Sequence, residues 1–277
     1  MKKLFFAATA GAAVFTLAAC GDTSESAQEV FDKTMERQKE LTSASADMDM
    51  TQTMKFDMEG ETQEMTTATK GKIDMVLSPL AMAMDATMEM DMMGETMSMP
   101  MDMYMNEEQG FFMQDPTTET WMKLPQEQLD AVLQSTDVQV DQTEQLEQLK
   151  EFVEDFTMEE TDADYVLTLN LDDEKFNSLV KEQAASALGE AGTTEDTAAL
   201  DSINISDGLY KLTIDKETYD LTDLVMDFVM TMDVEGESLE MDTSSTISYT
   251  EFNHLDTIDI PQEVIDTAVD ASEATVQ

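Results

Sequence analysis

The chain has one cysteine, one histidine and one tryptophan in 277 residues, with 5 prolines and only 14 lysines and arginines. Each scarcity removes a class of protein. A single thiol, Cys20, leaves no internal disulfide and no thiolate metal cage. Because His254 stands alone, any Ser–His–Asp relay would run through it, and no G-x-S-x-G accompanies it. There is no G-x-G-x-x-G after a strand, no phosphate loop, no H-E-x-x-H and no EF-hand loop. The chain therefore reads as a non-enzyme, with no catalytic residue, metal site or cofactor expected. Few cations beside 61 acidic residues, a formal net charge of −47, argue against a nucleic-acid partner, whose phosphates require Lys and Arg. They argue equally against lying flat on an anionic membrane. Acid spread along the whole chain reads as solvation, best tolerated where salt screens the repulsion.

What is present begins with a leader. Met1-Lys2-Lys3 is basic, Leu4 to Phe15 is apolar, and Leu17-Ala18-Ala19-Cys20 closes the segment. That is the layout of an export signal, too short for a trusted spanning helix. The ending resembles the lipobox of bacterial lipoproteins, which implies cleavage before Cys20 and lipid attachment to its sulfur. The expected organisation is a signal peptide at 1–19, a lipidated Cys20 with a polar tether at 20–26, one domain at 27–265 and an acidic tail at 266–277. The protein would then be held at the cell membrane, on its extracytoplasmic face, through Cys20.

Methionine is abundant, 26 residues in all. In MSMPMDMYM (97–105) it takes every second position, and in AMAMDATMEMDM (81–92) nearly so. On a helix such residues would point all round; only an extended strand gathers them on one face. Met48, Met50, Met54 and Phe56 share even parity, Met65, Ile73, Met75 and Leu77 odd. Leu80, Met82, Met84, Met88, Met90 and Met92 are even, and Met97, Met99, Met101, Met103 and Met105 odd. The switches fall at turn residues, as successive hairpins require. Pro100 sits on the polar parity without an N–H to donate, which marks an edge or a bulge. Near the C-terminus Met226, Phe228, Met230 and Met232 precede the turn Glu235-Gly236-Glu237, and Leu239, Met241, Ile247 and Tyr249 follow it. Further strands are expected at Tyr165–Leu171 and Tyr210–Ile214. Helical stripes run over Ala27–Leu41, Pro125–Leu133, Leu146–Phe156 and Phe176–Leu188, with Asp172 a cap and Gly189 a stop for the last. The fold class expected is α+β: a long, strongly curved antiparallel sheet, a half-barrel, wrapped around a few helices.

Cys20, an N-terminal helix, long alternating strands, Trp121-Met122-Lys123-Leu124-Pro125, helices, and a last hairpin before Ile260-Pro261-Gln262-Glu263-Val264 make up the layout. It resembles the small surface lipoproteins of Gram-positive bacteria, themselves similar to the half-barrel lipoprotein-carrier and mycobacterial lipid-carrier superfamily. The resemblance covers nearly the whole mature chain and lies in layout, not in a motif. It implies an apolar cavity for acyl chains. The candidate lining is Met50, Met54, Met75, Met82, Met84, Met88, Met90, Met97, Met99, Met101, Met103, Met230 and Met232.

Three readings of the methionines compete. The first is an anchored lipoprotein that binds or carries a lipid or other hydrophobic ligand, and it leads. The second is a Cu(I)- or Ag(I)-binding surface protein, since thioethers are soft ligands and Met88-Glu89-Met90, Met97-Ser98-Met99 and Met101-Asp102-Met103 have Met-x-Met spacing. Against it, side chains at i and i+2 of a strand start about 6.6–6.8 Å apart. The third is a structural envelope protein in which Met simply replaces Val, Ile or Leu.

Overall fold

The computed structural model describes residues 25–58, 61–92, 94–125, 149–170, 177–178, 181, 202–234 and 237–271. The alternating segments form β1 (Ser43–Met58), β2 (Glu61–Leu77), β3 (Leu80–Met92), β4 (Glu95–Asn106), β5 (Gly110–Gln114) and β6 (Trp121–Lys123). After the central segment come β7 (Thr157–Glu160), β8 (Asp164–Asn170), β9 (Asn204–Asp215), β10 (Leu221–Val234), β11 (Glu237–Phe252) and β12 (Val269–Asp270). All join one sheet in the order β12-β6-β5-β4-β3-β2-β1-β11-β10-β9-β8-β7. Every pairing is antiparallel except β12 with β6. The sheet is curved and open, and its two edge strands are short, of 2 and 4 residues, which limits edge-to-edge pairing.

Strands hold 63 % of the described residues, so the architecture is mostly β where the sequence pattern suggested α+β. The regular helices described are α1 (Ala27–Gln38) and α2 (Gln262–Thr267). Of the stripe at Leu146–Phe156 the described part is chiefly a 3-10 turn, Lys150–Asp155. Of the stripe at Phe176–Leu188, Asn177, Ser178 and Lys181 are helical. The short helix expected at 125–133, the leader and Cys20, the cap Asp172 and the stop Gly189 lie outside the described residues. Ordered structure runs to Asp270 in β12, beyond the expected start of the tail. Among the described residues no helix is long and apolar enough to cross a membrane.

Helix α1 starts where local chemistry allows. The Ser26 hydroxyl accepts from Glu29 N–H at 3.3 Å, and Ser26 N–H donates back to the Glu29 carboxylate at 2.9 Å. This capping box satisfies two otherwise orphan donors. Val30, Phe31 and Met35 on α1, with Leu149, Phe152, Val153 and Phe156 at the 3-10 turn, then pack on Leu167, Leu169, Tyr210, Leu212 and Ile214 of β8 and β9. The side of the sheet they cover is called the inner face.

The bend has visible sources. Strands of 16 and 17 residues exceed the usual length and curl. Register shifts at Ser45/Ala46 and at two places between β9 and β10 add bulges, where Asp207 takes φ 51°. At Gly71 the inner side of β2 closes on β3: a Cβ there would sit 2.4 Å from the Cβ of Ala86 and from the carbonyl oxygen of Asp85. Only glycine permits that approach. Pro100 faces Thr87 of β3, while β5 pairs only with residues 103–106 of β4. The proline therefore lies on the part of β4 that is an edge among the described residues, one of the two placements its parity required.

The outer face is clamped by the C-terminal segment. Ile258 packs on Val76 and Ala81, and Ile260 and Val264 pack on Phe112 beside Tyr104 and Trp121. Asn106 Nδ2 donates to the Ile258 carbonyl at 2.9 Å, and Leu255 N–H donates to the Ser43 hydroxyl at 3.0 Å. Trp121, whose ring lies 5.6 Å from that of Tyr104, is a packing residue of this clamp.

Candidate functional site: the inner face of the sheet

Register decides which side each methionine takes, because directly paired residues share a face. Met48, Met50 and Met54 of β1 oppose Ile247, Ser245 and Met241 of β11. Met54 also opposes Met65, and Met65 opposes Met92. Met75 opposes Met82; Met82, Met84, Met88 and Met90 oppose Met105, Met103, Met99 and Met97. Met101 opposes Ala86, Met230 opposes Met241 and Met232 opposes Leu239. Met226, Phe228 and Met230 of β10 belong to the layer packed under α1, which fixes this side as the inner face. All thirteen methionines singled out from the sequence, Met50 to Met232, thus lie on one continuous face, together with Met48, Met65, Met92, Met105 and Met226.

The two faces are separated by charge. From Ala44 to Phe56, Gln63 to Leu77, Leu80 to Met92, Met97 to Met105, Leu224 to Met232 and Leu239 to Tyr249, no inner position is ionisable apart from Tyr249. The alternate, outer positions hold Asp47, Asp49, Lys55, Glu64, Lys70, Lys72, Asp85, Glu89, Asp91, Asp102, Asp227 and Glu240. Tyr249 and its neighbour Tyr210 stay neutral. Burial pushes the Tyr210 phenol up to about 12, and burial, with Tyr210 nearby, also raises that of Tyr249. A membrane-spanning barrel turns an apolar band outward; this charged outer face is the reverse of that.

Coverage of the inner face is uneven. The core under α1 and the 3-10 turn reaches β7 to β11 and includes no residue of β2, β3 or β4. On those three strands the methionines are mostly half-exposed, reaching 45 % for Met92 and 59 % for Met97 by the β3–β4 turn. Met105 is the exception, buried with Leu80 at the opposite end.

Two other places were candidates on chemical grounds. Ser45, Asp74, His254 and Glu251 meet on the outer side: Ser45 donates to Asp74, and His254 Nε2 lies 3.3 Å from Ser45 Oγ and 3.2 Å from Glu251. In a relay the acid holds the other ring nitrogen and Nε2 accepts the serine proton. Here the acid stands at Nε2 itself and not at the other ring nitrogen, and Ser45 donates to Asp74, so the arrangement differs from that relay. The group ties the C-terminal segment to β1 and β2. The second place is an outer depression of about 600 Å³ lined mainly by Asp47, Asp49, Lys70, Lys72, Thr246 and Ser248. Its lysines are already paired, Lys70 with Asp49 at 2.8 Å and Lys72 with Asp47 at 3.9 Å.

Sequence reasoning missed the polar residues of the inner face. Thr243, Gln52 and Thr67 oppose one another in a row across β11, β1 and β2, and Ser245 and Thr69 flank Met50 in the next row. Their signal was a break in the apolar parity, legible only once the strands are aligned.

Two solved structures are similar in outline. A β-barrel-like protein of the domain of unknown function DUF1849 from Brucella abortus is 8 % identical, with a TM-score of 0.22, covering 74 % of this chain and 98 % of its own. A DUF1329 family protein from Desulfovibrio piger is 8 % identical, with a TM-score of 0.19, covering 85 % and 96 %. No curated protein matches. The model of a family of unknown function, DUF6612, matches residues 26–269, and the chain belongs to that family.

Proposed function

We propose that the protein is a membrane-anchored extracytoplasmic lipoprotein that binds or carries a lipid or other hydrophobic molecule on the Met-rich half of its inner face, and performs no chemistry on it. The observation that carries this reading is the uncharged, half-exposed inner surface of β2 to β4, set against a charged outer surface. Contiguous apolar surface of this kind marks a binding site on soluble proteins. Burying hydrocarbon against it is worth about 0.8 kcal/mol per methylene, so an acyl chain supplies ample gross driving force. Flexible, polarizable thioethers suit ligands of variable shape. Cys20 would carry the lipid anchor, and the six residues after it the tether.

The test is retention of an apolar fluorescent dye, N-phenylnaphthylamine, by the chain carrying Cys20→Ser. Met90→Asp with Met101→Asp is expected to abolish retention, because each carboxylate would be desolvated by the ligand. Retention undiminished in a still-folded double variant would remove the inner face as the site.

The register favours one second reading, Cu(I) or Ag(I) binding. It sets Met88 opposite Met99 and Met90 opposite Met97. Opposed side chains start about 4.5–5.5 Å apart, closer than along the strand. Silver titration distinguishes the two readings: saturation at one equivalent, lost in Met88→Leu with Met99→Leu, would favour the metal.

A further inference from the structure

We infer that the inner face contains a polar subsite, made by Thr243, Gln52 and Thr67 with Ser245 and Thr69 beside them, that receives an uncharged hydrogen-bonding group of the ligand, an ester carbonyl or a hydroxyl, in preference to a carboxylate. The inference rests on the proposed binding of a hydrophobic ligand and names which class of ligand the site selects.

Placement is the first argument. Between the rims, nearly all other inner positions of β1 to β4 are Met, Leu, Ile, Phe, Ala or Gly, the exception being Gln63 near the turn. Chance polar drift would scatter. Here five polar residues occupy two adjacent rows of three neighbouring strands, bordered by Phe228 on β10 and by Met88 and Met90 on β3.

Unfilled hydrogen-bonding capacity is the second. The Gln52 amide donates to Met241 Sδ at 3.0 Å and to Thr243 Oγ1 at 3.5 Å. Both contacts are weak, one because thioether sulfur is a poor acceptor and the other because it is long. The Gln52 carbonyl and the hydroxyls of Thr67, Thr69 and Ser245 have no protein partner among the described residues. Thr69 and Thr243 are 4 % and 5 % exposed, yet no side-chain N or O among the described residues is both fully buried and unpartnered, so the Thr69 hydroxyl stays open to solvent or to a ligand. Polar atoms so placed gain most from a partner delivered by a ligand that also covers the surrounding methionines.

Charge supplies the selectivity. No cation stands on the inner face of these strands to neutralise a carboxylate, and the outer face and the chain's net charge of −47 repel anions. A neutral acyl ester or alcohol is satisfied by Thr and Gln alone.

The experiment displaces N-phenylnaphthylamine from the full chain carrying Cys20→Ser, using monopalmitoylglycerol and palmitate at pH 8 in 0.5 M NaCl to screen general repulsion. The ester is expected to displace the dye roughly tenfold more tightly than the carboxylate. In Gln52→Leu with Thr67→Val the preference, taken as the ratio of the two lipids' displacement of dye from that same variant, falls to about one. Should that pair unfold, the isosteric Thr67→Val alone is expected to lower the preference in the same direction. Equal displacement by both lipids, or a preference unchanged in the variants, overturns the subsite while leaving the hydrophobic site standing. Failure of the dye to bind the unaltered inner face overturns both.

Discussion

Over β8 and β9, where α1 and the 3-10 turn cover the sheet, the inward residues are Tyr165, Leu167, Leu169, Tyr210, Leu212 and Ile214, and neither strand contains a methionine. Across β3 and β4 the inward residues are almost all methionine, and none belongs to that core. Both sets keep the same alternation on the same sheet, so the backbone does not ask for the difference. A partner of fixed shape can be met by side chains with few rotamers, packed to crystal-like density. A surface met by something variable is better lined by unbranched thioethers that re-pack at small cost. The change to methionine begins at β10, whose Met226 and Met230 still pack against the layer under α1, and continues onto the strands that this layer does not reach.

The largest effect that would break this comparison lies in the covered half. Phe31→Ala or Leu212→Ala, both at 0 % exposure, should cost about 3–5 kcal/mol in urea unfolding, against less than about 1 kcal/mol for Met90→Ala or Met99→Ala. Equal losses in both halves would mean that the methionines are ordinary core. Gly71→Ala comes next, at about 1–3 kcal/mol, because the new methyl meets Ala86 and the Asp85 carbonyl and the bend must relax. Ser26→Ala should cost about 1 kcal/mol by uncapping the helix that fills the covered half, and should leave dye binding by the other half unchanged.

The smallest effect is a gain. Burial, and then the Asp85 carboxylate opposite, hold the Asp102 carboxyl above its ordinary value on the outer side of the Met-rich strands. An acid whose pKa is raised by folding weakens the fold when ionised. That penalty is present above the carboxylate range and vanishes as pH falls through the raised pKa. Asp102→Asn should therefore add about 0.2–1 kcal/mol at pH 7 and nothing at pH 3, read from denaturation midpoints at the two pH values.

Much of this was legible in the residues. Period-two methionine can only be a strand face, and the parity switches at Glu59-Gly60 and Met93-Gly94 locate the hairpins. The register then carried every candidate methionine to one side. Less legible was the balance of classes. The stripe at Leu149, Phe152, Val153 and Phe156 suits a helix, yet Lys150–Asp155 forms a 3-10 turn whose side chains pack beneath α1. The wrapping of Ile258 to Val264 over the outer face left no periodic signal, since Ile258 and Ile260 lie outside regular structure and α2, which holds Val264, has only six residues. Two turns of matching design also went unread: Asp115 and Asp215 each accept from the N–H groups two and three residues on and from a threonine hydroxyl. Those donors hold both carboxyls below their ordinary values. The polar row Thr243–Gln52–Thr67 depends on which strands are neighbours, and β1 with β11 is a pairing of residues about 190 apart that one-dimensional pattern does not reveal.

The most direct measurement of the central claim is native mass spectrometry of the Cys20→Ser chain, secreted by its own host and purified without detergent. A heterogeneous adduct of lipid mass, absent from Met90→Asp with Met101→Asp, is the expected result. A bare protein mass that also fails to retain N-phenylnaphthylamine, or an adduct of copper mass alone, would contradict it.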